Sequence, residues 1–167
     1  MFERYSELAR QAIFLARKEA GETGAATIDS EHLLIGVLAV HPELPKQLPI
    51  EIDLASVRKR TEPDAPKPAI PDAVDLPLSP NLGRVLERAA SIADEQHCRE
   101  IRTEHLVASI FEEGGNVGRI LSDYRLDEKA VSILISNIDC SNPQRPTEES
   151  RRSMLSLLSS MMGKMPM

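Results

Sequence analysis

Two Glu-His pairs are the residues of this sequence whose types and spacing could do chemistry. Glu31 and His32 lie in Ile-Asp-Ser-Glu-His-Leu, and Glu104 and His105 lie in Ile-Arg-Thr-Glu-His-Leu, 73 positions later. A carboxylate beside an imidazole can bind a metal ion or transfer protons as a general acid and base. The repeated stretch therefore suggests either a divided catalytic or metal centre, or a helix start that has been duplicated.

The spacing within each pair argues against a metal centre. Adjacent residues of a helix point about 100° apart, whereas two zinc ligands on one helix are typically about four residues apart. His41 and His97 add no recognisable ligand spacing. We therefore predict no catalytic residue, no metal site and no cofactor. A metal-dependent enzyme that uses the Glu-His pairs is the alternative from another functional class.

A duplicated helix start explains the same residues through the backbone. Ser30 and Thr103 precede apolar runs and are placed to accept hydrogen bonds from the unpaired N–H groups of a first helical turn. The acidic residue that follows suits the helix dipole, and the histidine ring can bond locally. Asp29 could be the cap in the first copy, but Arg102 holds the equivalent position in the second. Symmetry therefore favours the hydroxyl residues as caps.

The match at 73 positions extends well beyond the motif, which indicates a duplicated supersecondary unit. Each half begins with an Ala-rich amphipathic helix and continues through a loop into the motif helix and a last amphipathic helix. Only the second half keeps a helical third segment, because prolines limit His-Pro-Glu-Leu-Pro-Lys-Gln-Leu-Pro to a single turn. We predict an all-α protein of two pseudo-symmetric four-helix repeats packed as one domain. The predicted divisions are repeat 1 at 1–62, a Pro-rich linker at 63–78, repeat 2 at 79–140 and a C-terminal tail at 141–167.

The tail contains an apolar stripe at helical spacing. This stripe could dock a partner, since methionine-rich helix faces adapt to varied surfaces. Packing back on the chain's own domain, or disorder, is the competing interpretation. The candidate docking residues are Met154, Leu155, Leu158, Met161 and Met162.

Composition restricts the class of partner. The net charge is −6 and there is no basic block, which argues against nucleic acid. No apolar run approaches the roughly 18 residues of a membrane span, and the start has no secretory pattern. Cys98 and Cys140 follow no Cys-x-x-Cys spacing, so we expect free thiols. A soluble protein of the reducing cytoplasm is the simplest interpretation.

The duplicated motif in its helical context resembles the Clp N-terminal repeat domain, the front end of the Clp/Hsp100 unfoldases ClpC, ClpA and ClpB. The resemblance covers about residues 1–138 and is closest in the second copy. The unfoldases continue into AAA+ modules with a G-x-x-x-x-G-K-[ST] loop, and these 167 residues contain no such stretch. The resemblance therefore implies a stand-alone recognition domain that neither binds nor hydrolyses ATP.

The same resemblance implies a non-catalytic role in protein quality control. Clp N-terminal domains dock substrates and adaptor proteins, so we expect partners among Clp ATPase or protease subunits, adaptors or substrate proteins. The chain would then act as an adaptor, a competitor for adaptors or an accessory subunit in regulated proteolysis. A further alternative is a repeat domain that senses a ligand outside the Clp system.

A candidate ligand site also follows from the resemblance. In relatives of the ClpC type, the corresponding Thr-Glu positions bind phosphoarginine on tagged substrates. A helix start offers donors to a phosphate, and a carboxylate can receive the guanidinium. Those relatives usually have Gly before the hydroxyl residue, and an acid there would repel phosphate whereas an arginine would attract it. The candidates carried over by position are Ser30 and Glu31, and, as the favoured site, Arg102, Thr103 and Glu104.

Overall fold

Helices are the regular elements of this protein throughout the described residues. The structure is a computed structural model that describes residues 2–48, 51–65, 67–113 and 115–162. This architecture confirms the predicted all-α fold. The helices are α1 (Glu7–Glu22), α2 (Ser30–Val40), a short 3-10 helix (Leu44–Gln47), α3 (Leu54–Thr61), α4 (Pro80–Glu95), α5 (Thr103–Glu113), α6 (Gly115–Asp123), α7 (Glu128–Ser136) and α8 (Glu148–Met162).

The two motif helices, α2 and α5, form the centre of the molecule. Helix α1 packs mainly on α2, α4 packs mainly on α5, and α2 also contacts α5 directly. The α1–α2 crossing is close because Gly36 faces the backbone, and a Cβ there would collide with the Ala12 carbonyl oxygen. Since α2 and α5 are covered on most sides, the starts of both motif helices must satisfy their polar groups within the protein.

Two short backbone bridges interlock the repeats. Tyr5, which precedes α1, forms a parallel bridge with Ile101, which precedes α5. Ile28, which precedes α2, forms the equivalent bridge with Leu78, which precedes α4. Each repeat therefore supplies the backbone that lies beside the motif of the other repeat.

The third segment is where the repeats differ, as predicted. In repeat 1 it is the short 3-10 helix, with Pro45 in its first turn. In repeat 2 it is α6, whose Val117, Ile120 and Leu121 are buried. The third segment of repeat 1 also buries Leu44 and Leu48, but it forms only a short turn where repeat 2 has a helix.

The proline-rich connector runs along α1. The Arg17 guanidinium donates to the Pro71 carbonyl at 3.0 Å and to the Val74 carbonyl, and the Ile70 N–H donates to the Gly21 carbonyl at 2.7 Å. These bonds lead the connector back to α4 and position the residues that bridge to Ile28.

The tail packs back on its own domain, which was one of the two interpretations of its apolar stripe. Helix α8 lies against α2, and Met161 is buried in the core. Met154 and Leu158 are half-buried against the core, while Leu155 is 63% exposed. The side chain of Met162 lies outside the described residues. Of the candidate docking side chains that are described, only Leu155 is free for a partner in this arrangement.

A disulfide joins Cys98 and Cys140, so the expectation of free thiols was wrong. The Cα atoms are 5.1 Å apart, within the usual range for a disulfide. The pair has no recognisable sequence spacing because the chain after α7 returns to the loop before α5 only in the folded state. The disulfide ties the start of the tail to the second motif.

We expect this disulfide to contribute about 4 kcal/mol to the free energy of unfolding, because it closes a long loop in the unfolded chain. The closed loop has a sequence separation of 42 residues. Urea unfolding of the oxidised protein and of the same protein in dithiothreitol measures the difference. A Cys140→Ser variant is the control, since its stability should not respond to dithiothreitol. Equal stability of the oxidised and reduced protein would contradict the prediction.

Candidate ligand-binding site at the paired helix starts

The start of α2 is capped by Asp29, so the preference for Ser30 as the cap was wrong. The Asp29 carboxylate accepts from the Ser30 N–H at 2.7 Å and from the Ser79 hydroxyl at 2.9 Å. The Ser30 hydroxyl instead accepts from the Asn81 side-chain amide at 2.7 Å. A carboxylate one residue earlier reaches the free N–H groups directly, which leaves the serine hydroxyl to bind a neighbouring helix.

The histidine of each motif completes the cap from the other direction. His32 Nδ1 accepts from the Asp29 backbone N–H, and His105 Nδ1 accepts from the Arg102 backbone N–H, each at 2.9 Å. His105 Nε2 lies 3.0 Å from Gln96 Oε1. This arrangement resembles the capping box in which a Glu or Gln at the third helical position bonds back to the cap residue. The predicted local bonding of the histidine ring is confirmed in both copies.

The start of α5 takes its capping oxygen from the tail. Arg102 occupies the position of Asp29, but its side chain has no acceptor atom. Gln144 Oε1 accepts from the Thr103 N–H at 3.1 Å and from the Ser6 hydroxyl at 2.8 Å. These two bonds reproduce those that Asp29 makes at the other helix start. Thr103 is therefore not the cap that symmetry suggested.

The amide nitrogen of Gln144 binds the other half of the second motif. It donates to the Thr103 hydroxyl at 2.9 Å and to the Glu104 carboxylate at 3.0 Å. His41 Nδ1 lies 2.7 Å from the same hydroxyl, and Arg102 Nε lies 3.6 Å from Glu104. Both carboxamide atoms of Gln144 thus have partners in one buried polar cluster.

The chain directly before this glutamine also crosses the second motif. The Arg102 guanidinium donates to the carbonyls of Asp139 at 3.0 Å and Asn142 at 2.8 Å. The Gln144 backbone N–H donates to the Glu100 carboxylate at 3.0 Å. We call residues 139–144 the capping segment. It covers the start of α5 as a bound peptide would.

The structure thus separates the predicted site residues into two different environments. Arg102, Thr103 and Glu104 meet in one buried cluster, with Thr103 and Glu104 only 0% and 6% exposed. Ser30 is buried as well, whereas Glu31 lies at the edge of a surface groove that Arg60 and Lys67 also line. Sequence reasoning missed three partners of the second motif. These are Gln144, Ser6 and His41.

The geometry offers no metal centre at the Glu-His pairs. Within the described part of the chain, no group of three or more His, Cys, Asp or Glu side chains is placed to hold a metal ion. Both ring nitrogens of His105 already have hydrogen-bonding neighbours.

Among those same residues, none of the helices combines the length and apolar character that a membrane span requires.

Comparison with known sequences finds one family over most of the chain. The sequence model of the family described as "Clp repeat (R) N-terminal domain" matches residues 4–124. The ATP-dependent Clp protease ATP-binding subunit ClpA homolog of Guillardia theta is 30% identical over 130 residues, and that of Porphyra purpurea is 29% identical over 134 residues. These alignments cover 76% and 78% of this chain but only 16% of each relative. The chain thus spans about a sixth of the curated relatives' length.

Comparison with solved structures gives the same family of folds. The N-terminal domain of the chaperone ClpD from Arabidopsis thaliana aligns with a TM-score of 0.63 and 26% identity, over 81% of this chain and 97% of that chain. The Hsp104 N-terminal domain from Candida albicans aligns with a TM-score of 0.61 over 89% of this chain and 99% of that chain. The latter is 14% identical, so it bears on the fold alone.

Burial keeps the motif histidines neutral at ordinary pH. It lowers the pKa of His32 to about 4, against the opposing charge of Asp29. It also lowers the pKa of His105 to about 4, against the opposing charge of Glu104. A neutral ring leaves Nδ1 free to accept from the backbone N–H, so the capping bonds depend on this state.

We therefore expect the protein to lose stability as the pH falls from about 6.5 towards 5. In that window the unfolded chain binds protons at these histidines, whereas the folded protein does not, so protonation favours unfolding. The loss should reach about 2 kcal/mol for each histidine between about pH 6.5 and 5. Urea unfolding at several pH values measures it.

A His32→Gln variant is the matched control. Glutamine at this position keeps an acceptor for the cap N–H but does not titrate. The variant should lose less stability than the parent over the same pH window. An equal loss in both proteins would contradict the assignment.

Proposed function

Because the chain belongs to the Clp repeat (R) N-terminal domain family, we propose that it is a non-catalytic protein-binding module of a Clp ATPase-protease system. It recognises substrate or adaptor proteins for a Clp ATPase, or regulates that recognition. The family match and the ClpD likeness support this role. Domains of this family are protein-interaction modules, so the proposal assigns the chain no reaction of its own and no ATP site.

The polar cluster at the start of α5 is the observation that carries the proposed binding site. It presents the Thr103 N–H and the Arg102 guanidinium as donors, with the Glu104 carboxylate as an acceptor next to them. A side chain with an anionic group on a guanidinium matches this pattern, because the anion meets the donors and the guanidinium meets the carboxylate. We therefore propose phosphoarginine on a protein substrate as the ligand.

The two helix starts are unequal in this role. At the start of α2, the negatively charged Asp29 carboxylate bonds the Ser30 N–H and would repel a phosphate. At the start of α5, Arg102 adds a positive charge where Asp29 has a negative one. The proposal therefore places the ligand at Thr103 and Glu104 rather than at Ser30 and Glu31.

We expect Glu104→Gln to weaken binding of a phosphoarginine peptide roughly ten- to hundredfold. The substitution removes the negative charge of the hydrogen-bond acceptor but keeps a side chain of similar shape. Isothermal titration calorimetry with the parent chain and the variant measures the change. The matched control is Glu31→Gln, which should bind as the parent does. Equal affinity of the parent and Glu104→Gln, or loss in Glu31→Gln alone, would contradict the assignment.

The wider role is tested by capture of partners from native cells. The tagged chain should retain a Clp ATPase or protease subunit after mild crosslinking, and a Clp adaptor or substrate should compete with it. Mass spectrometry identifies the captured proteins. Reproducible capture of other proteins with no Clp subunit would indicate a repeat domain that works outside the Clp system.

A further inference from the structure

We propose that the Gln144 side chain, at the end of the capping segment, is an internal ligand that occupies the peptide-binding site of α5 and is displaced by external peptides. This inference rests on the proposed function, since it concerns access to the same site. It adds an autoinhibitory contact: the site is closed by the chain itself until a competing peptide takes its place.

Apart from Cys140, which is partly buried against the apolar core, the capping segment is held through polar contacts. Asp139, Ser141, Asn142 and Pro143 are all exposed, and only Gln144 inserts into the protein, where it is 7% exposed. Each hydrogen bond of this kind contributes about 1 kcal/mol net. A ligand that makes the same bonds can therefore exchange with the Gln144 side chain without disturbing the apolar core.

Gln144 satisfies both halves of the site at once. Its side-chain oxygen accepts from the Thr103 N–H and the Ser6 hydroxyl. Its side-chain nitrogen donates to the Thr103 hydroxyl and the Glu104 carboxylate. An external ligand must therefore offer an acceptor oxygen and an N–H donor side by side. The carboxamide of a glutamine in an extended peptide meets that requirement, as does the proposed phosphoryl-guanidinium group.

The comparison of the two repeats explains why only one site can open. At α2 the capping oxygen belongs to Asp29, the residue directly before the helix, so it always remains next to the N–H groups that it caps. At α5 the equivalent oxygen belongs to a residue 41 positions away in sequence. Withdrawal of that residue frees the Thr103 N–H while the helix remains in place.

The segment is tethered at both of its ends. The disulfide at Cys140 fixes one end, and α8, anchored by Leu157 and Met161, fixes the other. Tethering gives the segment a high effective concentration at the site, on the order of millimolar for a short flexible link. External peptide must overcome this advantage, so a test has to remove the disulfide tether.

The test compares two variants of the 167-residue chain, Cys140→Ser and the double variant Cys140→Ser with Gln144→Ala. The probe is a synthetic peptide of residues 139–147 with serine in place of its cysteine. Binding is followed by NMR through the shift of the Thr103 amide. We expect the double variant to bind the probe at least tenfold more tightly than Cys140→Ser does. A probe whose glutamine is replaced by alanine should not bind.

Two results would overturn the proposal. One is a double variant that keeps its helical circular dichroism but binds no probe at millimolar concentration. The other is equal binding of the probe by both variants, which would mean that the internal glutamine does not compete. Light scattering measures the oligomeric state of Cys140→Ser. A stable dimer would mean that Gln144 of a second copy occupies the site, which would also overturn the proposal.

These outcomes are separable from failure of the proposed function. Probe binding that depends on Gln144 supports the internal ligand even if no Clp subunit is captured from cells. Capture of a Clp subunit with no effect of Gln144→Ala rejects the internal ligand alone. A phosphoarginine peptide that binds the double variant at least tenfold more tightly than Cys140→Ser would support both.

Discussion

The rest of the structure depends on one constraint: the first N–H groups of α2 and α5 have no partner within their own helices and must find one elsewhere. Both helices lie at the centre of the fold, so water cannot satisfy these groups, and each one left unpaired would cost about 1–3 kcal/mol. The connector before α4 brings Ser79 to Asp29, and the chain before α1 brings Ser6 to Gln144. The packing of the two repeats is thus organised around the polar ends of two helices as much as around the apolar core.

The two repeats each contain a buried helix start whose N–H groups need an acceptor, and the two starts obtain it from different residues. Asp29 supplies a capping oxygen from within repeat 1, while Arg102 forces repeat 2 to obtain one from the tail. The proposed division of roles follows from that difference. A cap directly before its own helix stays beside it, whereas the cap from a distant segment is the one that we propose is exchanged for a ligand of similar chemistry.

Much of this arrangement could be predicted from residue patterns, and the remainder depends on tertiary placement. Apolar periodicity and the internal repeat located the helices, and the position of His32 and His105 indicated their local bonding. Symmetry between the repeats did not predict the cap of α2, because the Asp29 carboxylate competes better for the N–H groups than the neighbouring Ser30 hydroxyl. No local signal connects Gln144 with Thr103, or Cys98 with Cys140, since both contacts exist only after the tail has folded back.

The crossed bridges at Tyr5 and Ile28 also bear on how the repeats relate to one another. Each bridge joins a residue just before the first helix of one repeat to a residue just before the motif helix of the other. The pair of bridges therefore has approximate twofold symmetry. A single repeat with the same segments could form both bridges only by pairing with another copy of itself, in the manner of an isologous homodimer. The present chain contains such a dimer in covalent form. The two halves now differ at Asp29 and Arg102 and in their third segments.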